Sequence, residues 1–355
     1  MEAMAEEAVV LQALIDEKLK PLVKKIDEEA YYAEEYLFAL GKAGFFQSTH
    51  KDEQSTLLDE LTIVQETAKV CMTTAFCLWC HLAALTYIRK TSNFELRAAV
   101  LPLLEGGELL GATGLSNPMK FYAGLEKLHL SAERVDGGYV LNGVLPAVSN
   151  LADNHWFGAI ACYEGKEVML FVNTNNSAIT LKEKVHFLGV NGSATYSCKF
   201  DQVFVADEYV IAHDASLFVD TIRPTFVLYQ IPLGFGVMEA CIEGIEKVKA
   251  KQNGCNEYLQ VQADELAKEL QQLQEILQSN VVAGGMNLYE ICQLRLQTVY
   301  ATLAAVQANM LHNGSAGYIV GSIPSRKLRE AYFFANLTPT VRQLEKMTKV
   351  LKIAD

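Results

Sequence analysis

No block of lysine or arginine runs through this chain. Thirty basic residues stand against 42 acidic ones, a formal net charge of −12 over 355 residues. That balance excludes an extended nucleic-acid surface or an anionic membrane face, because both need clustered cations. It leaves room for a local basic pocket around a phosphate. The opening MEAMAEEAVV is acidic and has no basic n-region, so a secretory signal is not expected. The apolar run around Cys71–Leu85 carries His81 and is too short to span a bilayer. A disulfide framework is also missing. Of eight cysteines, Cys71, Cys77 and Cys80 crowd together and the rest scatter, which suits free thiols in a reducing compartment, the cytoplasm. There is no P-loop, no serine-nucleophile elbow, no repeat and no low-complexity linker. The seven histidines, His50, His81, His129, His155, His186, His213 and His312, form no i, i+4 metal pair. Cys77-x-x-Cys80-His81 has the outline of a redox, metal or haem motif. It sits in an apolar helical run without a second cysteine pair, so buried thiols are the reading.

What is present is a folded chain. Half the residues are hydrophobic, and the length suits two to three domains. Residues 1–46 read as two helices: Val9, Leu11, Leu14, Ile15 and Leu19 recur at helical spacing, and a second run from about Glu28 to Leu40 stops at Gly41–Gly44. Helices follow over Thr56–Ala68, Val70–Ile88 and Asn93–Leu104. The pattern then changes. Gly111–Asn150 opens with a polar loop of small residues and turns to alternation at Leu128–Glu133. Asp136-Gly137-Gly138 marks a hairpin and Asn142-Gly143 a second turn. Strands are expected at His155–Ala161, Val168–Val172, Ile179–Leu181, Asp201–Val205 and Glu208–Ile211. Helices return at Ile222–Lys251, Glu257–Ser279, Leu288–Asn313, Ser325–Phe334 and Pro339–Lys352. Leu266, Leu270, Leu273 and Leu277 form a stripe that predicts a helix–helix contact and argues against a monomer. The fold class is α+β, with a β segment between two helical parts.

Several segments, in order, resemble the acyl-CoA dehydrogenase superfamily. Gly137–Gly143 followed by Val148-Ser149-Asn150 and Ala152-Asp153 is similar to its first β signature. Leu188–Ser193 with Phe200–Val205 and Val210-Ile211 is similar to the second. Arg223-Pro224 before Gly234-Phe235-Gly236, and Gly314–Tyr318 before Pro324 and Leu328–Ala331, match the C-terminal helices. The similarity covers nearly the whole chain. It implies an N-terminal α-helical domain (1–108), a middle β-barrel or sandwich domain (109–212) and a C-terminal four-helix bundle (213–355). It also implies FAD between the last two, with FMN as the smaller alternative, a small-molecule substrate such as an acyl-CoA, and a homodimer or homotetramer.

By the same resemblance Thr113, Leu115, Ser116 and Ser149 lie along the flavin ring. Hydroxyls and exposed N–H groups suit its pyrimidine edge. Read from the residues alone, Thr113–Asn117 is an ordinary polar connection. Gly314 keeps the first glycine of the family's cofactor motif, and Ser315 replaces the second. Ala147 stands where the family often stacks a tryptophan. Lys251–Gly254 replaces an arginine-led pyrophosphate motif, and lysine is not arginine's equal at a bidentate phosphate site. The family's catalytic glutamate, which removes the substrate α-proton, falls at Thr338; the alternative position falls at Ile222. Neither residue is a base. Glu330 and Glu345, the nearest carboxylates, read as solvated helix-face charges. The expected activity is therefore a flavin-dependent oxidoreductase with an altered base position. A flavin monooxygenase and a non-catalytic binding protein on the same scaffold are the rivals.

Overall fold

The computed structural model describes residues 2–49, 51–184 and 186–354. His50 lies outside the described residues. The first helices are α1 (Glu2–Leu14), a π turn (Ile15–Leu19) and a 3-10 turn (Lys20–Leu22), then α2 (Val23–Glu28) and α3 (Glu34–Lys42). The second expected helix thus begins six residues later than the periodicity suggests, because Ala30 takes a positive φ of 56° and breaks the run. Leu11, Ile15 and Leu19 face the core, whereas Val9 is exposed.

Three longer helices follow: α4 (Glu53–Val70), α5 (Met72–Lys90) and α6 (Phe94–Glu105). Asp52 caps α4 through the Ser55 N–H at 2.8 Å, and Asn93 caps α6 through Leu96 at 3.0 Å. Every residue of α5 from Met72 to Ile88 is buried. A helix apolar on all sides belongs in the middle of a domain, and α5 is the element around which the others pack.

The β region is one eight-stranded mixed sheet: β1 (Gly111–Thr113), β2 (Leu130–Val135), β3 (Gly138–Val148), β4 (Trp156–Tyr163), β5 (Lys166–Asn173), β6 (Ile179–Glu183), β7 (Tyr196–Ala206) and β8 (Val210–Ala212). The spatial order is β6-β7-β3-β2-β4-β5-β8, with β1 pairing in parallel with β4. Gly137, with φ 76°, turns β2 into β3 as expected. Asn142-Gly143 is not a turn. β3 continues through it with a register shift against β7, and Gly143 takes φ 131° where a side chain would strike the His129 carbonyl. The polar loop after β1 is also different from expectation. Its residues form the short helix α7 (Ser116–Tyr122), with Leu115, Asn117 and Met119 buried.

The rest is helical: α8 (Ala215–Leu228), α9 (Ile231–Val248), the four-residue α10 (Lys251–Gly254), α11 (Ala263–Val282), α12 (Leu288–Asn313), α13 (Ile323–Asn336) and α14 (Val341–Ala354). The single helix expected over Ile222–Lys251 is two, broken at Tyr229-Gln230 ahead of Pro232. Among the described residues Ala215–Val248, and not the run near Cys71, is the stretch apolar enough by length and composition to cross a membrane, yet its most apolar window is 78% buried within the protein. An Asn287–Glu290 capping box starts α12. Gly236 lets α9 cross α4 in near contact, since a Cβ there would meet the backbone of Gln65–Lys69. The leucine stripe of α11 is buried inside this same chain, where α11 packs against α9 and α12. It therefore needs no second subunit.

Candidate functional site

One cavity of about 440 Å³ lies where α5, the sheet and α13 meet. Its walls come from six places, five of them Phe76, Trp79 and Cys80 on α5; Thr113 and Ser116 around the start of α7; Ala147 and Ser149 at the end of β3; the loop Phe187–Val190 with Ser193 and Thr195; and Arg329, Tyr332, Phe333, Asn336, Leu337 and Thr338 at the end of α13. Phe226 of α8 closes the set.

The apolar wall is a run of aromatic contacts. Phe76 stacks on Trp79 with centroids 5.6 Å apart, and Phe333 and Phe226 meet them edge-on at 4.7 and 4.8 Å. Trp79 is fixed by its indole N–H, which donates to the Phe226 carbonyl at 3.1 Å. The lining also carries hydroxyls. Ser149 Oγ and Ser193 Oγ lie 2.7 and 2.8 Å from Thr195 Oγ1. Thr113 Oγ1 is 2.7 Å from Tyr87 OH and accepts from the Leu115 N–H at 3.3 Å. Ser116 Oγ is 3.3 Å from Thr338 Oγ1. A hydroxyl has one donor and two acceptor positions, so each keeps capacity for a guest.

Of the expected site residues, Thr113, Ser116, Ser149 and Thr338 share this cavity, as does Ala147. Leu115 is fully buried behind it. Gly314 and Ser315 sit in an exposed 3-10 turn after α12 and do not line it. Lys251–Gly254 is an exposed tight turn, with positive φ at Gln252, Asn253 and Gly254. Ile222 is buried in the core. His312 is buried at the end of α12, with Nε2 2.9 Å from the Val261 carbonyl. Cys77, Cys80 and His81 are buried in α5. Burial pushes the Cys77 and Cys80 thiols far above their usual range and His81 down to about 3. His81 Nδ1 accepts the Gly111 N–H at 3.0 Å, a structural bond. Among the described residues no three His, Cys, Asp or Glu side chains converge as a metal site.

Glu330 is a clear departure. It is 2% exposed, not solvated. Arg326 Nη1 donates to it at 3.0 Å and the Met72 N–H at 3.3 Å, and Lys327 Nζ forms an ion pair 2.9 Å away. Lys327 and Arg326 also donate to the Ala68 and Val70 carbonyls at 2.9 Å. Burial pulls Lys327 below its ordinary pKa. This cluster bolts α13 onto the α4–α5 junction, and its carboxylate is committed to two cations. Glu345 is half-exposed and accepts from Tyr300 OH at 2.9 Å. Among the described residues no Asp, Glu or His lines the cavity. Arg329, the one formal charge among them in the lining, is held bidentately by Asp27 at 2.7 and 2.6 Å.

Sequence reasoning missed the aromatic part of the lining and a buried cation, Arg295. Trp79 stands inside the run read only for its thiols. Arg295 of α12 is 0% exposed; its Nε donates to Gln230 Oε1 at 3.2 Å and its Nη2 to the Phe334 carbonyl at 2.9 Å. Gln230 Nε2 in turn donates to the Thr338 carbonyl at 2.9 Å. Burial brings Arg295 down to about 9, still above neutral pH, so it carries its charge.

Residues 4–108 match the family "Acyl-CoA dehydrogenase, N-terminal domain". The whole chain has the same fold as butyryl-CoA dehydrogenase from Megasphaera elsdenii, with a TM-score of 0.89 at 16% identity over 99% of this chain and 98% of that one. Among curated proteins it is similar to benzylmalonyl-CoA dehydrogenase from Aromatoleum aromaticum, 25% identical over 56% of this chain and 54% of that one. It is also similar to the probable acyl-CoA dehydrogenase FadE25 of Mycobacterium tuberculosis, 22% identical over 65% of this chain and 63% of that one. The chain thus spans 54–63% of the length of these curated relatives.

Proposed function

The chain has the acyl-CoA dehydrogenase fold, and on that premise we propose that it is a flavin-dependent oxidoreductase whose ring site is the 440 Å³ cavity. One observation carries the reading. Phe76 and Trp79, with Phe333 and Phe226 edge-on against them, line the same cavity as a set of serine and threonine hydroxyls, and its volume suits a planar ligand. A bound flavin would supply a two-electron acceptor. Ser116, Thr113 and Ser149 would hold its polar edge, and the small Ala147 would leave one ring face open. Phe76, Trp79, Phe226 and Phe333 exclude water from the other side. FAD is the cofactor favoured by the family; the exposed, altered Lys251–Gly254 and Ser315 keep FMN as the alternative.

Thr338 takes the place of the family's base. It cannot remove a proton from a thioester α-carbon, and the nearest buried carboxylate, Glu330, is neutralised by Arg326 and Lys327. An acyl-CoA substrate therefore implies slow α,β-dehydrogenation. The same lack of a lining carboxylate favours a second reading, a flavin monooxygenase, in which no α-proton is removed. Oxygen uptake with externally supplied reduced flavin separates the two. Self-association as a homodimer or homotetramer is supported by the exposed Tyr318, Ile319, Val320 and Ile323 beside Gly314. Free cysteines support a reducing, cytoplasmic setting.

The deciding experiment is a visible spectrum of the purified chain, followed by titration with FAD and FMN. Flavin bands, or tight uptake of either cofactor, support the reading. A colourless protein that takes up neither leaves the non-catalytic binding protein as the function.

A further inference from the structure

The protein has a second cavity, of about 210 Å³. Three chain segments wall both cavities. Ser116, Phe226 and Thr338 line the first, and Met119, Val227 and Pro339 line the second. Among the described residues the two linings have no member in common. The second lining is largely aliphatic, and Met119 and Met347 contribute to it. Methionine adapts its shape to a flexible guest.

Charge sets this cavity apart. Arg223 of α8 and Lys346 of α14 line it, and among the described residues no Asp or Glu does. The whole chain carries −12, yet α14 holds Arg342, Lys346, Lys349 and Lys352 against the single carboxylate of Glu345. That carboxylate accepts from Tyr300 OH. Neither lining cation is fully engaged. Lys346 Nζ reaches the Ala123 carbonyl at 3.4 Å. Arg223 Nη2 donates to Asp220 at 2.9 Å, but that side chain is 62% exposed, and solvent weakens such a pair. Arg223 Nε is buried without a partner, and so is the hydroxyl of Tyr122, a third polar member of the lining. Burial, with Glu167, Asp214 and Asp220 nearby, holds the Tyr122 phenol above its ordinary range, so it keeps its proton and is a donor. Buried donors without partners cost stability until an acceptor meets them.

An aliphatic cavity with two cations, a phenol and no carboxylate suits a guest with an apolar tail and an anionic head. A guanidinium matches a carboxylate in shape and spacing. We propose that this cavity is a binding site for an aliphatic monocarboxylate, a fatty-acid anion. Arg223, Lys346 and Tyr122 hold its head group, and Met119, Val227 and Met347 lie along its tail. The site is independent of the flavin reading, because none of these residues lines the ring cavity.

Isothermal titration calorimetry of the full chain with octanoate, and with 1-octanol as its uncharged counterpart of equal length, tests this. Octanoate is expected to bind about tenfold tighter than octanol, the effect of opposed charges at a partly solvated site. Lys346→Gln and Arg223→Gln are each expected to lower the ratio, and together to bring it to about one, with the affinity for octanol unchanged. Lys346 is exposed, so Lys346→Gln keeps the test open if Arg223→Gln does not fold. The proposal is overturned if octanoate does not bind, if octanol binds as tightly, or if Lys346→Gln keeps the full ratio. A chain that shows the expected ratios but takes up no flavin upholds this site and removes only the cofactor assignment. Flavin uptake without octanoate binding does the reverse.

Discussion

Thr338 Oγ1 lies 3.3 Å from Ser116 Oγ, although 222 residues separate them. The contact joins the end of α13 to the start of α7 and brings two neutral hydroxyls together in the cavity lining.

Thr338→Glu should therefore supply a carboxylate to the cavity. Burial raises the pKa of such a group toward neutrality, which suits a general base. The expected outcome is flavin reduction by an acyl-CoA about 100-fold faster than in the parent, at the low end of what a positioned base contributes. Anaerobic bleaching of the flavin band across an acyl-CoA panel checks it. An unchanged rate would mean that something other than the base is missing.

Ala147→Trp should restore an aromatic face beside the ring. An added stacked pair is worth about 0.5–1.5 kcal/mol, so flavin affinity should tighten by roughly two- to tenfold. A weaker affinity would show that the cavity needs the space that Ala147 leaves.

Glu330→Gln strands two cations in the core. Lys327 and Arg326 are 1% and 8% exposed, and removing one partner of a buried ion pair costs about 3–5 kcal/mol. Urea unfolding should report a loss of that size, and a loss below about 1 kcal/mol, as for an exposed pair, would contradict the burial.

Acid should weaken the fold through His81. Its folded pKa is depressed to about 3 by burial, below the unfolded value of 6.5. Between those values the unfolded chain binds a proton that the folded chain does not. Stability is therefore full above pH 6.5 and declines as pH falls toward 3, by about 1.4 kcal/mol per unit. Urea midpoints from pH 7 to 4.5 should fall, and His81→Gln should flatten part of that slope; His155, also depressed by burial, contributes the same sign.

Thiol counting offers a simple check on the core. Cys162 and Cys255 are exposed and the other six are buried. An aromatic disulfide reagent should label two thiols in the native chain and eight once it is unfolded.

Local signals were sufficient for much of this protein. The Gly137 hairpin and the helical spacing of Leu266–Leu277 depend on neighbours a few residues away; the hairpin is found where expected, and the leucine helix begins at Ala263, six residues after the expected Glu257. The order of helices, sheet and helices follows from them, and so does the meeting of Thr113, Ser116, Ser149 and Thr338 once the family resemblance is added. Other properties depend on partners far along the chain. Periodicity put Glu330 on a solvated face because no local pattern reveals that Met72, 258 residues away, covers it. The leucine stripe shows that α11 has a partner, but not whether that partner lies in the same molecule. Asn142-Gly143 carries a turn signal, and pairing with β7 makes it a bulge instead. Arg295 is the extreme case: a single arginine in a helix says nothing until packing has buried it, with Gln230 Oε1 and the Phe334 carbonyl as its partners.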